Sequence, residues 1–167
     1  SNANDTLGIF SQTGDIFLKG QRLIDTVPGI NIVNFGAIGY DSLTTYTGNI
    51  TLTADSLHIG SNSRITSNGI LTIQPYSDNL TIGLGGESRQ FTLPEDYFSL
   101  NFSDGFSNVI VGQTSGTGLM QAGSLTVNDP LTLRNGTGGI NIVDTINMVS
   151  DQLILETDGL ATQLQTG

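Results

Sequence analysis

The sequence predicts an all-β chain, a parallel β-helix (β-solenoid) with coils of roughly 20–23 residues and one short helical or irregular insertion near 87–106. Three observations carry that expectation: a residue inventory tuned to strands, short runs of alternating apolar and polar residues, and recurrence of those runs at a nearly fixed spacing. The first is compositional. Thr, Ile and Val number 21, 17 and 7 against 5 Ala and 1 Lys, so strand-favouring residues far outnumber those that favour exposed helices. Gly (22) and Asn (14) are the natural occupants of turns, and they punctuate the whole length.

The second observation is alternation. Gly29-Ile-Asn-Ile-Val33, Asn49-Ile-Thr-Leu-Thr53, Ser56-Leu-His-Ile59, Leu80-Thr-Ile-Gly-Leu84, Leu125-Thr-Val127, Leu131-Thr-Leu133 and Leu153-Ile-Leu155 each suit a half-buried strand. Helix-period stripes are nearly absent, so strand-helix-strand crossovers have nothing to supply their helices. Sandwich, barrel and solenoid remain.

The third observation chooses among them. Runs beginning at Leu119, Leu125 and Leu131 are followed by runs beginning at Ile140, Ile146 and Leu153, displaced by 21, 21 and 22 residues. Ile9, Ile30, Ile50 and Leu71 follow with steps of 21, 20 and 21. The pentapeptide Gly29–Val33 reappears at Gly139–Val143, 110 residues later, or five periods of 22. A unit of this length holding three short strands buries its apolar positions against its neighbours and cannot stand alone, which is a solenoid coil. A β-sandwich is the alternative.

One stretch departs from the pattern. Residues 87–106 hold four of the seven Phe (Phe91, Phe98, Phe102, Phe106) and Tyr97, and Thr92-Leu-Pro-Glu95 has the form of a capping box with Pro in the first turn. Phe98 and Phe102 share a face whether the segment is helix or strand. The aromatics are expected to cover a flank of the solenoid or to pack beneath a bulging loop. Because insertions into a regular scaffold are where functional loops concentrate, Glu95, Asp96, Tyr97, Phe98 and Asp104 form the candidate binding surface.

Composition bounds the function. The chain of 167 residues suits one domain or one segment of an elongated molecule; Ser1-Asn2-Ala3 reads as a remnant of tag removal, leaving residues 4–167 as a single solenoid segment of a larger protein. A net charge of −10 repels phosphate backbones and anionic lipid, which argues against nucleic-acid partners. With no Cys there is no disulfide, thiolate nucleophile or Cys-bound zinc, and the compartment is left open by that count. No apolar run is long enough to insert in a membrane.

The succession Gly69-Ile-Leu-Thr-Ile-Gln-Pro75, Leu80-Thr-Ile-Gly-Leu-Gly-Gly86, Asp104-Gly-Phe-Ser-Asn-Val-Ile-Val-Gly112 and Ser124-Leu-Thr-Val-Asn-Asp-Pro-Leu-Thr-Leu133 resembles the repeat region of filamentous-haemagglutinin-like bacterial surface adhesins, over roughly residues 45–160. The resemblance is one of sequence texture. It implies a right-handed parallel β-helix, secreted or displayed on the bacterial outer surface, whose partners are glycans or proteins of host or neighbouring cells. The secretion domain typical of such proteins has no counterpart in these residues.

The competing class is a polysaccharide-acting lyase or hydrolase, or a carbohydrate-binding module, on the same scaffold. Such enzymes need paired carboxylates, or a carboxylate with Arg or Lys, at the cleavage point. Here there is no Asp-Asp, the basic residues Lys19, Arg22, Arg64, Arg89 and Arg134 are scattered, and the one His, His58, should point outward between two core residues. The expectation is therefore no catalysis, no cofactor and no metal. Gly116-Thr-Gly118 and Gly136-Thr-Gly-Gly139 lack the Lys and helix of a phosphate loop and read as turns. The expected oligomeric state is a monomer or weak end-to-end dimer.

Overall fold

The computed structural model describes residues 47–149 and 152–163, residues 15–20, and the strand segments 8–9, 30–32, 37–38, 40–41 and 44–45. Their architecture is all-β. Among the described residues nearly every ladder is parallel, none of the sheets closes on itself, and the one antiparallel pair is the short Tyr40–Asp41 with Thr44–Thr45. Among the described residues no helix is long and apolar enough to cross a membrane.

The longest sheet stacks six strands in sequence order: Ile16–Gly20, Ile50–Ala54, Ile70–Gln74, Asn108–Gln113, Leu131–Asn135 and Leu153–Thr157. Its register sets like side chains over like. Ile16, Ile50, Leu71, Val109, Leu131 and Leu153 form one inward column, and Leu18, Leu52, Ile73, Val111, Leu133 and Leu155 form the next. Alternate residues lie on the other face, as the pleat requires, where Phe17 is exposed but Ile110 and Thr132 are buried. The second sheet runs Phe91–Leu93, Ile82–Leu84, Met120–Ala122, Ile140–Ile142, Ala161–Gln163, again parallel throughout. A third row pairs Leu125–Val127 with Ile146–Met148, and nearer the amino terminus Gly8–Ile9, Ala37–Ile38 and Arg64–Ile65 form a short sheet. Residues from all three rows meet in one apolar core.

Partners along the long sheet are separated by 34, 21, 38, 22 and 22 residues. The sequence spacing finds the Ile50 with Leu71, Leu125 with Ile146 and Leu131 with Leu153 pairs, and misses Ile140 by one residue, since its partner is Met120. It fails before Ile50. Ile50 pairs with Ile16, Ile30 with Leu57, and Ile9 with Ile38, so the even steps through Ile9, Ile30 and Ile50 count Ile residues that belong to different sheets. The 38-residue step also removes the five equal periods between the two copies of the pentapeptide.

At the corner between the long and second sheets successive backbones come too close for side chains. A Cβ on Gly118 would lie 2.2 Å from the Leu80 carbonyl oxygen, and one on Gly138 2.1 Å from that of Gly118. The two glycine-rich pieces are thus turns, as expected. Inside this corner the buried Asn135 donates from Nδ2 to the carbonyls of Gly118 (2.9 Å) and Gly139 (2.6 Å), tying two layers together. At another corner Asn49 Oδ1 accepts the Ile70 N–H (2.8 Å) while its own N–H donates to Asp15. Outward pairs add surface contacts: Arg134 faces Glu156 in register at 2.5 Å, and the Lys19 ammonium lies 4.7 Å from the Tyr76 ring centre.

Coverage by neighbouring layers fixes how much each inward residue contributes. Leu131 and Leu133 are 0% exposed, whereas Leu153 and Leu155, one layer further on, are half-buried. Leu133→Ala should therefore cost about 2–5 kcal/mol in urea denaturation, and Leu155→Ala clearly less, because the latter site empties toward solvent rather than into a closed cavity.

Candidate functional site

The 38-residue step contains the insertion. Gly85, with φ +67°, turns the chain after Ile82–Leu84, and the loop folds back so closely that a Cβ on Gly83 would lie 2.0 Å from the Glu87 carbonyl oxygen. The chain then runs parallel to the strand it has just left. Phe91–Leu93 pairs with Ile82–Leu84 across a connection of only six residues, possible because each strand is three residues long. Arg89 steadies this loop: its guanidinium meets Glu87 at 3.3 Å and the Gln121 side chain, and its N–H donates to Thr92 Oγ1 at 3.0 Å.

Thr92 is therefore a strand residue, and the expected capping box does not form. Its hydroxyl bonds to Arg89 rather than to a helix N-terminus. Helical backbone begins at Glu95 and becomes a single π-helical turn at Tyr97–Asn101, closed by the Phe102 N–H on the Tyr97 carbonyl at 2.8 Å. Pro94, which has no N–H to give to a ladder, ends the strand just before it.

This turn lies where a strand would otherwise pair with the preceding layer, and side chains take over the missing backbone groups. The Tyr97 hydroxyl accepts the Ile59 N–H (3.0 Å) and donates to the Leu57 carbonyl (3.3 Å), two groups on one edge of the strand Leu57–Ile59. Asn101 Nδ2 donates to the carbonyls of Gly60 (2.9 Å) and Ser63 (2.8 Å). Backbone pairing then resumes: Phe102 bridges to Ile65, Ser103 N–H reaches the Ile65 carbonyl, and Ser107 N–H that of Gly69, each at 3.0 Å.

The aromatics fill the space behind the turn. Phe98 and Phe102 meet edge to face with ring centres 5.3 Å apart, and Tyr97 packs on Phe102 at 6.1 Å. Phe91 and Phe106 are buried with them. The aromatics thus pack inward behind the turn, and Phe98 meets Phe102 as their spacing suggests. Of the candidate binding surface, Tyr97 (6% exposed) and Phe98 (2%) are core residues and offer nothing to a ligand. Asp96 and Asp104 are exposed, Glu95 is half-buried beside Ser99, and Leu100 is exposed in the same turn.

Two buried polar residues that hold this segment in place escaped the sequence reading. Asn101 is buried, and Asp129, in the turn before Pro130, is buried with its Oδ1 accepting the Gly105 N–H at 2.9 Å. Burial pushes the Asp129 carboxyl above the usual Asp range, the neighbouring Asp104 carboxyl adds to that rise, and the Gly105 and Phe106 N–H groups oppose it. Burial also raises the Tyr97 phenol, against the hydrogen bond from Ile59. A polar residue amid apolar ones, and an Asp before Pro, were the available signals.

His58 is exposed between buried Leu57 and Ile59, as the alternation requires. Among the described residues no group of three or more His, Cys, Asp or Glu converges as a metal site. A shallow groove of about 360 Å³ lies between Leu119 and Leu160 over Gly138 and Gly139, and among the described residues no acidic or basic side chain lines it. Comparison with family models, with curated proteins and with solved structures finds no match.

Tyr97→Phe should destabilise the chain by about 1–3 kcal/mol despite losing one oxygen, because it leaves the buried Ile59 N–H unpaired. Asn101→Leu, measured by the same urea titration, should cost less, about 0.5–1.5 kcal/mol, because the Gly60 carbonyl keeps the Ser63 N–H and the Ser63 carbonyl keeps the Arg64 guanidinium when the two amide donations are lost.

Proposed function

We propose that the chain is a right-handed β-solenoid segment of a large exported bacterial surface adhesin of the filamentous-haemagglutinin-like kind, with a mechanical and adhesive role and no catalytic centre. The observation that supports this reading best is the long ladder: six parallel strands in sequence order, with unbroken apolar columns from Ile16 to Leu153 and from Leu18 to Leu155. From Asn108 onward strands of three rows are visited in turn as the chain advances along this stack, which is how a solenoid is wound. Such stacking resists bending and shear through backbone pairing along the axis and can hold recognition surfaces away from a cell.

Adhesion is assigned to the outer side of the insertion, where Asp96, Ser99, Leu100 and Asp104 stand exposed on a turn held from beneath by Tyr97 and Asn101. A rigidly seated loop loses little entropy on binding. Acidity suits export of a soluble rod rather than attachment to anionic lipid.

The test is binding of the purified chain to a glycan array and to intact host and bacterial cells, with Asp96→Ala and Leu100→Ala beside it. Binding that either substitution weakens about tenfold, the ordinary size of one good interface contact, supports the reading. Release of reducing sugar ends from any polysaccharide would replace it with an enzyme. Uniform failure to bind would reduce the segment to shaft alone.

A further inference from the structure

We propose that copies of this chain stack end to end into open-ended rods, the outer edge of Leu153–Thr157 in one copy pairing in parallel with the outer edge of Ile16–Gly20 in the next. These strands are the two outer members of the six-strand sheet. Among the described residues each has a ladder partner on one side only, Leu131–Asn135 for the first and Ile50–Ala54 for the second. The last layer is also incompletely covered: Leu153, Ile154 and Leu155 are half-buried, whereas Leu131 and Leu133 one layer in are 0% exposed.

The backbone repeats one hydrogen bond from layer to layer. The Ile16 N–H donates to the Asn49 carbonyl, that of Val109 to Pro130 and that of Leu131 to Gln152, in each case the residue before the next member of the same inward column. Leu153 is the last member, and its N–H follows the same direction, out of the sheet. In a second copy set one strand spacing further on, the residue before the first member of the column is Asp15, whose carbonyl receives that N–H.

Side chains choose a second copy as the occupant. The same register sets its Ile16 over Leu153, its Phe17 over Ile154, its Leu18 over Leu155 and its Lys19 over Glu156. Both inward columns continue without a break. Phe17, 71% exposed in the single chain, covers Ile154. Glu156 already holds Arg134 of the layer beneath, so Lys19 completes a row of alternating charge. Lys19 rests on Tyr76 in the single chain, a contact its flexible stem exchanges for the carboxylate. Pairing like edges loses this match, because Leu153–Thr157 carries an acid and no cation and Ile16–Gly20 a cation and no acid. The contact is therefore head to tail, which leaves one open edge at each end of a pair. It depends on the stack alone and goes beyond the adhesive reading.

Sedimentation equilibrium of the full chain, between about 10 μM and about 1 mM, is the test. The weight-average mass should climb past that of a dimer as concentration rises. Lys19→Glu and Glu156→Lys each set like charges across the junction and should raise the concentration for half-association about tenfold, with circular dichroism unchanged. Mixed in equal amounts, the two variants present opposite charges at both of their junctions and should regain the wild-type association. A wild-type chain that stays monomeric, a mass that levels at the dimer, or a mixture no more associated than its parts overturns the proposal. Should Glu156→Lys fail to fold, Lys19→Glu beside Lys19→Gln decides: greater loss from the charge reversal supports the register, and any other result overturns it.

Discussion

Every layer of this chain depends on the next for its backbone hydrogen bonds. A strand of three to five residues, lying parallel to its neighbours, satisfies its N–H and C=O groups only through the layers on either side. Register follows from that dependence. Because side chains alternate, a slip of one residue would carry Leu52, Ile73, Val111 and Leu133 out of the core together, so the apolar columns and the ladder select the same alignment. The corner glycines obey the same constraint: layers paired at strand spacing bring Gly118 and Gly138 to within a side chain's breadth of the backbone beside them.

The insertion shows what happens when a layer breaks the rule. By turning the backbone into a π-helical loop, residues 97–101 withdraw the strand that Leu57–Ile59 and the Gly60–Ser63 turn would have met. Tyr97 and Asn101 supply one acceptor and three donations in its place. Their precision depends on the rings behind them, since Phe98 and Phe102 hold the turn at the depth where a phenol can stand for a peptide group. The same segment leaves its polar residues outside. That division, core aromatics beneath and acidic residues above, is why, of the candidate surface, only Asp96, Asp104 and part of Glu95 reach solvent.

Much of the architecture was legible because alternation is a direct record of the pleat. Leu57-His58-Ile59 and Leu131-Thr-Leu133 declare their inward residues without any knowledge of partners. Spacing carried further information only where layers are nearly equal, between Ile50 and Leu71 and after Asn108. It misled where identical residues serve different sheets, as with Ile30 and Ile50, and where 17 Ile make coincidence easy. The insertion was visible as an aromatic excess, but its geometry was not, because Thr92-Leu-Pro-Glu95 carries a helix-start pattern that strand pairing to Ile82–Leu84 overrides. Asn101 and Asp129 act on groups 38 to 41 and 24 residues away, and no local pattern encodes such contacts.

The most direct test of the layered register is a pulsed dipolar distance between spin labels at Thr51 and Ile154, practicable because the chain has no native Cys. These outward positions are linked through Thr72, Ile110 and Thr132, four strand spacings apart. The account predicts a narrow distribution centred about 19 Å apart at the backbone, widened by the label linkers. A centre beyond about 30 Å, or a broad distribution without a peak, would contradict the stacking of these strands into one parallel sheet.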